Sequence, residues 1–351
     1  MRRRLIRILC YLLLLPPAIA AVAGWFAAPT FLHPIRRLLT PDLIREADTS
    51  FAASGGHRED FTVHAPDGVT LRGWKVTAPR PNGNWVLLFH GVADNRVGVI
   101  GQSEFLLRAG YSVVMMDSRA HGASDGGMAT YGWLERNDTR AIIDALEARL
   151  REQSTFPPPP SVATTRDSGV RRGASSESAT SLRSSPSFTS SAPHIFALGE
   201  SMGAGIALQS AAADPRIEGV VAEASFANLR EASYDYAGLR TAPLLGMTLF
   251  RPFSWTLLLH GEKLSGFPIA DVSPVRAVAA RAFPVLLICD EYDAALPCRH
   301  TQMIYAAAVG PKQFWEVPRA FHTAGLGFQP VEFERRVLDF FANIAAGKRV
   351  Q

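Results

Sequence analysis

The pentapeptide Gly199-Glu200-Ser201-Met202-Gly203 sets one hydroxyl between two glycines. An apolar run, His194–Leu198, precedes it, and a run of small and apolar residues, Met202–Ala213, follows. Read as strand, turn and helix, this G-x-S-x-G spacing holds the serine at a strand's carboxyl end and at a helix N-terminus, where N–H groups favour developing negative charge. The chemistry open to such a serine is acyl transfer through a covalent acyl-serine. Ser201 is therefore the expected nucleophile.

A serine hydroxyl needs a base to take its proton, and the base needs an orienting carboxylate. After an elbow of this kind the acid comes next in the chain and the histidine last. Three histidines follow Ser201. His260 precedes every carboxylate that ends a candidate strand, and His300 falls inside a predicted helix, where a surface position is expected. His322 follows the last predicted strand in the loop Arg319–Gly325, and is the expected base. The apolar run Pro284–Cys289 leads into Asp290-Glu291-Tyr292-Asp293. Asp293 lies deepest in that loop and is the expected acid, with Asp290 in reserve. The oxyanion needs two preorganised backbone donors. The N–H of Met202 is one. The N–H of Val92, after His90-Gly91, is the other, with His90 organising the loop through hydrogen bonds.

These residues need a frame. Continuous apolar runs at Trp85–Phe89, Tyr111–Asp117, His194–Leu198, Ile217–Ala224, Pro284–Cys289 and Gln313–Val317 read as buried strands. Helical stretches alternate with them at 99–108, 133–151, 202–213, 299–308 and 331–344. That alternation predicts a parallel sheet covered on both faces. Phe61–Ala65 and Val69–Thr77 flank Pro66-Asp67-Gly68 and read as an antiparallel hairpin at one edge.

With these signatures in order, the sequence resembles the α/β-hydrolase superfamily over about residues 61–346. The matching residues are His90-Gly91, the Asp117–Ser124 stretch, the Ser201 elbow, and the loops of Asp293 and His322. The resemblance implies a mostly parallel eight-stranded sheet with helices on both faces and a small helical cap, about 226–282. It implies no cofactor, and gives His121 a structural role; the cysteines offer no metal-binding pattern, and no metal is expected. The nearest likeness is to the monoglyceride-lipase-like and prolyl-oligopeptidase-like branches. A single Gly91 followed by Val92 departs from the Gly-Gly-Gly loop of many carboxylesterases. The expected function is cleavage of a carboxylic ester or thioester in a small-molecule substrate. The alternatives are a serine peptidase and a catalytically silent, membrane-tethered binding protein.

Residues 1–37 carry six arginines and no acid, and Ile8–Ala28 is free of charge. This is the length a bilayer requires, and the flanking arginines keep the N-terminus on the cytoplasmic side. A signal peptide cut at Ala18-Ile19-Ala20 or Ala21-Val22-Ala23 is the rival reading. The apolar run continues through Trp25 and Phe26, which favours a retained anchor with the catalytic body on the exported side. Once this segment is set aside, the pI near 9.1 no longer argues for a nucleic-acid partner. Residues 153–193 hold twelve serines and six prolines, and read as a disordered insertion on a surface loop. Of the three cysteines, Cys289 and Cys298 read as small buried hydrophobes, a disulfide being the alternative. The apolar stretch 243–260 can line an acyl pocket, touch a membrane or simply pack on the domain.

Overall fold

A computed structural model describes residues 2–155 and 193–348. The central part of the 153–193 insertion therefore lies outside the described residues. Its first residues, 153–155, belong to a helix that runs further than the sequence suggests.

The chain begins with α1 (Arg2–Leu32) and α2 (Pro41–Ser54). Then come β1 (His57–His64), β2 (Thr70–Thr77), β3 (Trp85–Phe89), α3 (Ile100–Arg108), β4 (Ser112–Met116) and α4 (Glu135–Thr155). The second half holds β5 (Ile195–Glu200), α5 (Met202–Ala213) and β6 (Ile217–Glu223). Four helices separate β6 from the next strand: α6 (Leu229–Tyr236), α7 (Pro243–Gly246), α8 (Pro252–Ser265) and α9 (Pro274–Ala280). The chain closes with β7 (Val285–Asp290), α10 (Arg299–Ala307), β8 (Lys312–Val317), α11 (Gly325–Phe328) and α12 (Pro330–Ala345).

The eight strands form one sheet in the order β1-β2-β4-β3-β5-β6-β7-β8. β1 and β2 join antiparallel at one edge, and β3 to β8 run parallel. Period-two alternation explains why the inner strands are apolar throughout. Trp85, Leu87 and Phe89 of β3 enter the core on one face, while Val86 and Leu88 enter the core on the other. β1 differs. It is an edge strand that alternates exposed and buried positions over its second half, so its polar start at His57–Asp60 carries no hydrophobic cue. β5 extends two residues past the expected Leu198, because Gly199 and Glu200 stay in register with Ala222 and Glu223 of β6.

α2 carries no strong apolar period and was not expected. Its ends are well signalled: Thr40 accepts from the Leu43 N–H at 3.3 Å, Pro41 opens the helix, and Gly55 closes it at φ 73°.

Two expectations are corrected here. Cys289 and Cys298 are joined in a disulfide rather than standing as separate small hydrophobes. They flank the turn after β7, and closing that short loop brings the two sulfurs together. His300 is not a surface residue but fully buried. Its Nδ1 accepts from the Ala227 N–H at 3.2 Å and its Nε2–H donates to Asp235 at 2.8 Å, so pairing offsets the cost of burying the imidazole.

Candidate active site

β3, β5, β6, β7 and β8 all end on the same side of the sheet, where open α/β sheets gather their ligands. Ser201 stands at the end of β5 with φ 53° and ψ −118°, a strained conformation for a residue with a Cβ. The elbow is held by close packing. A Cβ on Gly199 would collide with the Gly203 carbonyl, and one on Gly203 with the Phe89 carbonyl. The Ser201 N–H donates to the Glu223 carbonyl at 2.9 Å, tying the turn to β6.

The loops after β7 and β8 bring two more side chains to this turn. The Ser201 hydroxyl lies 2.9 Å from His322 Nε2, and His322 Nδ1 lies 2.6 Å from Asp293 Oδ2. The other oxygen of Asp293 accepts the N–H groups of Ala295 and Leu296, both at 2.8 Å. The carboxylate is thus fixed by the turn that Leu296-Pro297 closes. Ser201 and the Asp293 side chain are buried, while the imidazole is part exposed.

Asp290 does not reach His322. Its Oδ2 accepts the Thr323 N–H at 2.9 Å, and burial lifts its pKa to about 7. Glu223, at the end of β6, accepts the Gly325 N–H at 2.8 Å, and burial pushes its pKa well up. Glu223 Oε2 and Asp290 Oδ1 are both buried without a hydrogen-bond partner. These two acids hold the loop just after His322, through Thr323 and Gly325. Glu223 was not expected from sequence, and the signal it left is a carboxylate inside an otherwise apolar strand.

His90 bonds both within its own loop and to the loop after β4. The Ser118 N–H donates to its Nε2 at 3.0 Å, and its Nδ1 lies 2.7 Å from the Gly91 carbonyl. Burial lowers its pKa, so the ring stays neutral. His121 is buried beside it, at 5.2 Å between ring centres, and burial lowers its pKa to about 4. Both rings bond to the loop after β4, His90 through the Ser118 N–H and His121 through the Arg119 carbonyl. Burial alone would raise the Asp117 pKa, but the Arg96 guanidinium at 2.6 Å and the N–H groups of Arg96 and Ala123 outweigh it and hold the carboxyl low. This network fixes the loop that carries Val92.

Ser201 opens into a cavity of about 280 Å³ that Val92 and Met202 also line. Much of the rest of its wall comes from α6, α8 and α1, through Leu229, Tyr236, Phe253, Leu257 and Phe31, with Phe226, Tyr131 and Leu296 added from loops. None of the described lining residues is an acid or a base. Cys289, Cys298 and Glu316 cluster closely, but the disulfide leaves no thiolate there to hold a metal.

Several solved structures share this architecture. An esterase of Pyrococcus furiosus superposes with a TM-score of 0.61 at 22% identity, covering 89% of this chain and 98% of that one. An esterase of Exiguobacterium antarcticum gives 0.52 at 14% identity, covering 80% and 99%. In sequence, the uncharacterized Bacillus subtilis protein YqkD is 24% identical over 293 residues, covering 81% of this chain and 79% of its own length. Residues 46–250 match the X-Pro dipeptidyl-peptidase (S15) family. With its sheet, its elbow and this match in agreement, the chain is a serine hydrolase of the α/β-hydrolase fold and belongs to the X-Pro dipeptidyl-peptidase (S15) family.

Proposed function

We propose that the protein hydrolyses carboxylic esters or thioesters through an acyl-serine intermediate, with Ser201 as nucleophile, His322 as base and Asp293 as its orienting acid. The observation that carries this reading is the unbroken hydrogen-bond chain from Asp293 through His322 to Ser201 at the floor of an apolar cavity. His322 takes the hydroxyl proton as Ser201 attacks the carbonyl. Asp293 holds the Nδ1–H tautomer and stabilises the imidazolium that forms. The backbone N–H groups of Met202 and Val92 stabilise the tetrahedral oxyanion. The imidazolium then gives its proton to the leaving alcohol or thiol. Water, activated by the same ring, releases the acid.

A dipeptidyl peptidase has to recognise a free α-ammonium group, which calls for a carboxylate near the scissile bond. The described cavity wall offers none. That favours a neutral acyl group over a peptide N-terminus. Residues 226–282 then act as the cap over residues 61–346, which form the catalytic domain. The stretch Leu13–Leu32 of α1 is 20 residues long with a mean hydropathy of 1.5, enough to cross a bilayer. In this reading it is a retained anchor and the body lies on the exported side, where the Cys289–Cys298 disulfide persists.

Fluorophosphonate labelling of separated membranes and soluble fractions tests the nucleophile and its location together. Label is expected on the wild type in membranes and is expected to vanish in Ser201→Ala, with the fold unchanged. Folded wild-type protein that takes no label would favour the silent binding protein. In a series of nitrophenyl esters, a preference for acetate over longer chains would count against an acyl cavity.

A further inference from the structure

α1 is docked on the catalytic body and forms part of its active-site cavity. Its buried positions recur every fourth residue, at Ala20, Gly24, Ala28 and Leu32. This stripe packs along α8. The Thr256 hydroxyl donates to the Ala21 carbonyl at 2.6 Å, and the His260 ring stacks on Trp25 at 3.8 Å. Further on, the Tyr131 hydroxyl donates to the Phe31 carbonyl at 2.7 Å. Ala27, Thr30 and Phe31 reach the cavity that holds Ser201.

This docking restricts how α1 can meet a bilayer. Its apolar window runs from Leu13 to Leu32, but the segment from Ala20 onward lies against α8. The free part, at about 1.5 Å per residue, is too short to cross a hydrocarbon layer about 30 Å thick. Immersing the whole window takes the outer side of α8 into the lipid with it. That side carries apolar side chains at its exposed positions, beside a cleft that Arg230, Glu231, Glu262 and Arg276 also line. Phe253 and Leu257 point into the cavity, while Trp255 and Leu259, two positions on in each case, are more than half exposed. Leu244 and Leu245 of α7, and Ile19, Val22 and Phe26 of α1, are exposed apolar side chains as well. Arg251 lies over the Trp255 ring at 5.2 Å and Lys263 over the Trp25 ring at 6.0 Å, the pairing of cation and indole suited to a headgroup boundary.

We infer that α1, α7 and α8 form one membrane-immersed face, and that the active-site cavity beneath it draws its acyl substrate from the lipid leaflet. The cavity then receives the acyl chain of a membrane-resident ester while the carbonyl meets Ser201. This inference rests on the esterase reading of the same site and adds the substrate's source.

The test uses full-length protein reconstituted in phosphatidylcholine vesicles with two substrates. One is a water-soluble short-chain nitrophenyl ester, and the other a long-chain fluorogenic ester doped into the bilayer. Leu244→Glu/Leu245→Glu and Trp255→Glu place charge on exposed rim positions outside the cavity wall. Val331→Glu, an exposed position on α12, is the control. The rim variants should hydrolyse the soluble ester within about twofold of wild type, since surface changes perturb folding little. On the bilayer ester they should fall about tenfold or more, because an acid in the apolar layer costs a few kcal/mol. Val331→Glu should change neither rate. Rim variants that match wild type on the bilayer ester, or lose both rates in parallel, would overturn the inference. So would a wild type active only on the soluble ester, which would leave the esterase reading intact. A wild type inert on both would remove the esterase reading itself.

Discussion

Replacing Glu200 by glutamine should flatten the pH dependence of stability without altering the elbow's shape. Glu200 sits at the end of β5, 7% exposed, and accepts from Gln102 Nε2 at 3.1 Å. Burial, reinforced by the negative charge of Asp94, lifts its pKa from 4.5 to about 8, against the opposing hydrogen bonds from Gln102 and the Gly91 N–H. Between those two values the folded state keeps a proton that the unfolded chain has lost. Stability therefore falls as pH rises through the window, by up to about 1.4 kcal/mol per pH unit, and levels off above about pH 8. Across the whole window the loss is about 3–5 kcal/mol, the lower figure allowing for relaxation around the charge. Glutamine has the same volume and no proton to lose. Gln102 can turn its amide to meet the new NH₂ group. Urea denaturation at pH 5 and pH 9 measures the effect. At pH 5 the two proteins should agree within about 1 kcal/mol, and at pH 9 Glu200→Gln should be the more stable by about 3 kcal/mol. Glu223 and Asp290 feel the charge of Glu200, so glutamine also eases their ionisation and adds to the gain at pH 9. Equal slopes in the two proteins would show that Glu200 is ionised in the folded state at pH 7, and the argument from burial would fail.

Two further outcomes follow from the turn after β7. Asp293→Asn should lower kcat/KM by about 10³–10⁴ with little change in fluorophosphonate-free stability, because the asparagine favours the wrong imidazole tautomer. Asp290→Asn should cost far less, since its carboxyl meets the Thr323 N–H rather than the imidazole. Equal losses would contradict the assignment of Asp293 as the acid. Reducing the Cys289–Cys298 disulfide, whose cysteines are nine residues apart, should destabilise the fold by about 2–3 kcal/mol. Urea midpoints with and without dithiothreitol check this, and a protein indifferent to reductant would show that the turn is held by its hydrogen bonds alone.

The sheet was legible in the sequence because strands buried on both faces leave unbroken apolar runs, and because a serine elbow needs glycines at fixed positions. Element ends were less so. The polar first half of β1 and the glycine at the end of β5 both hide strand from a reading based on hydrophobicity. Chain order and loop position single out His322 and Asp293 as the expected base and acid, and His322 lies within hydrogen-bond distance of both Asp293 and Ser201. What escaped depends on contacts between distant segments. No local pattern announces that His300 meets Asp235, that Cys289 meets Cys298, or that Glu223 and Asp290 hold the loop of His322. The docking of α1 escaped for the same reason. Its residues read alike whether lipid or protein covers them, and only α8 distinguishes the two.

The turn after β7 also gives two neighbouring acids different hydrogen-bond partners. Asp290 and Asp293 are both buried and three residues apart, yet their hydrogen bonds differ. Asp293 receives two backbone N–H groups on one oxygen and the imidazole on the other, so its charge is met on both sides. Asp290 receives the Thr323 N–H on one oxygen, and its other oxygen lies without a hydrogen-bond partner close to the Glu223 carboxyl. Burial outweighs its backbone hydrogen bonds and lifts its pKa to about 7, and two buried carboxyls so close cannot both ionise cheaply. An acid that holds its own proton makes a poor partner for an imidazole N–H. It serves well as a neutral prop for the loop that carries that imidazole. The proposed roles of the two aspartates thus rest on the number of donors each one meets, which the backbone of this turn decides.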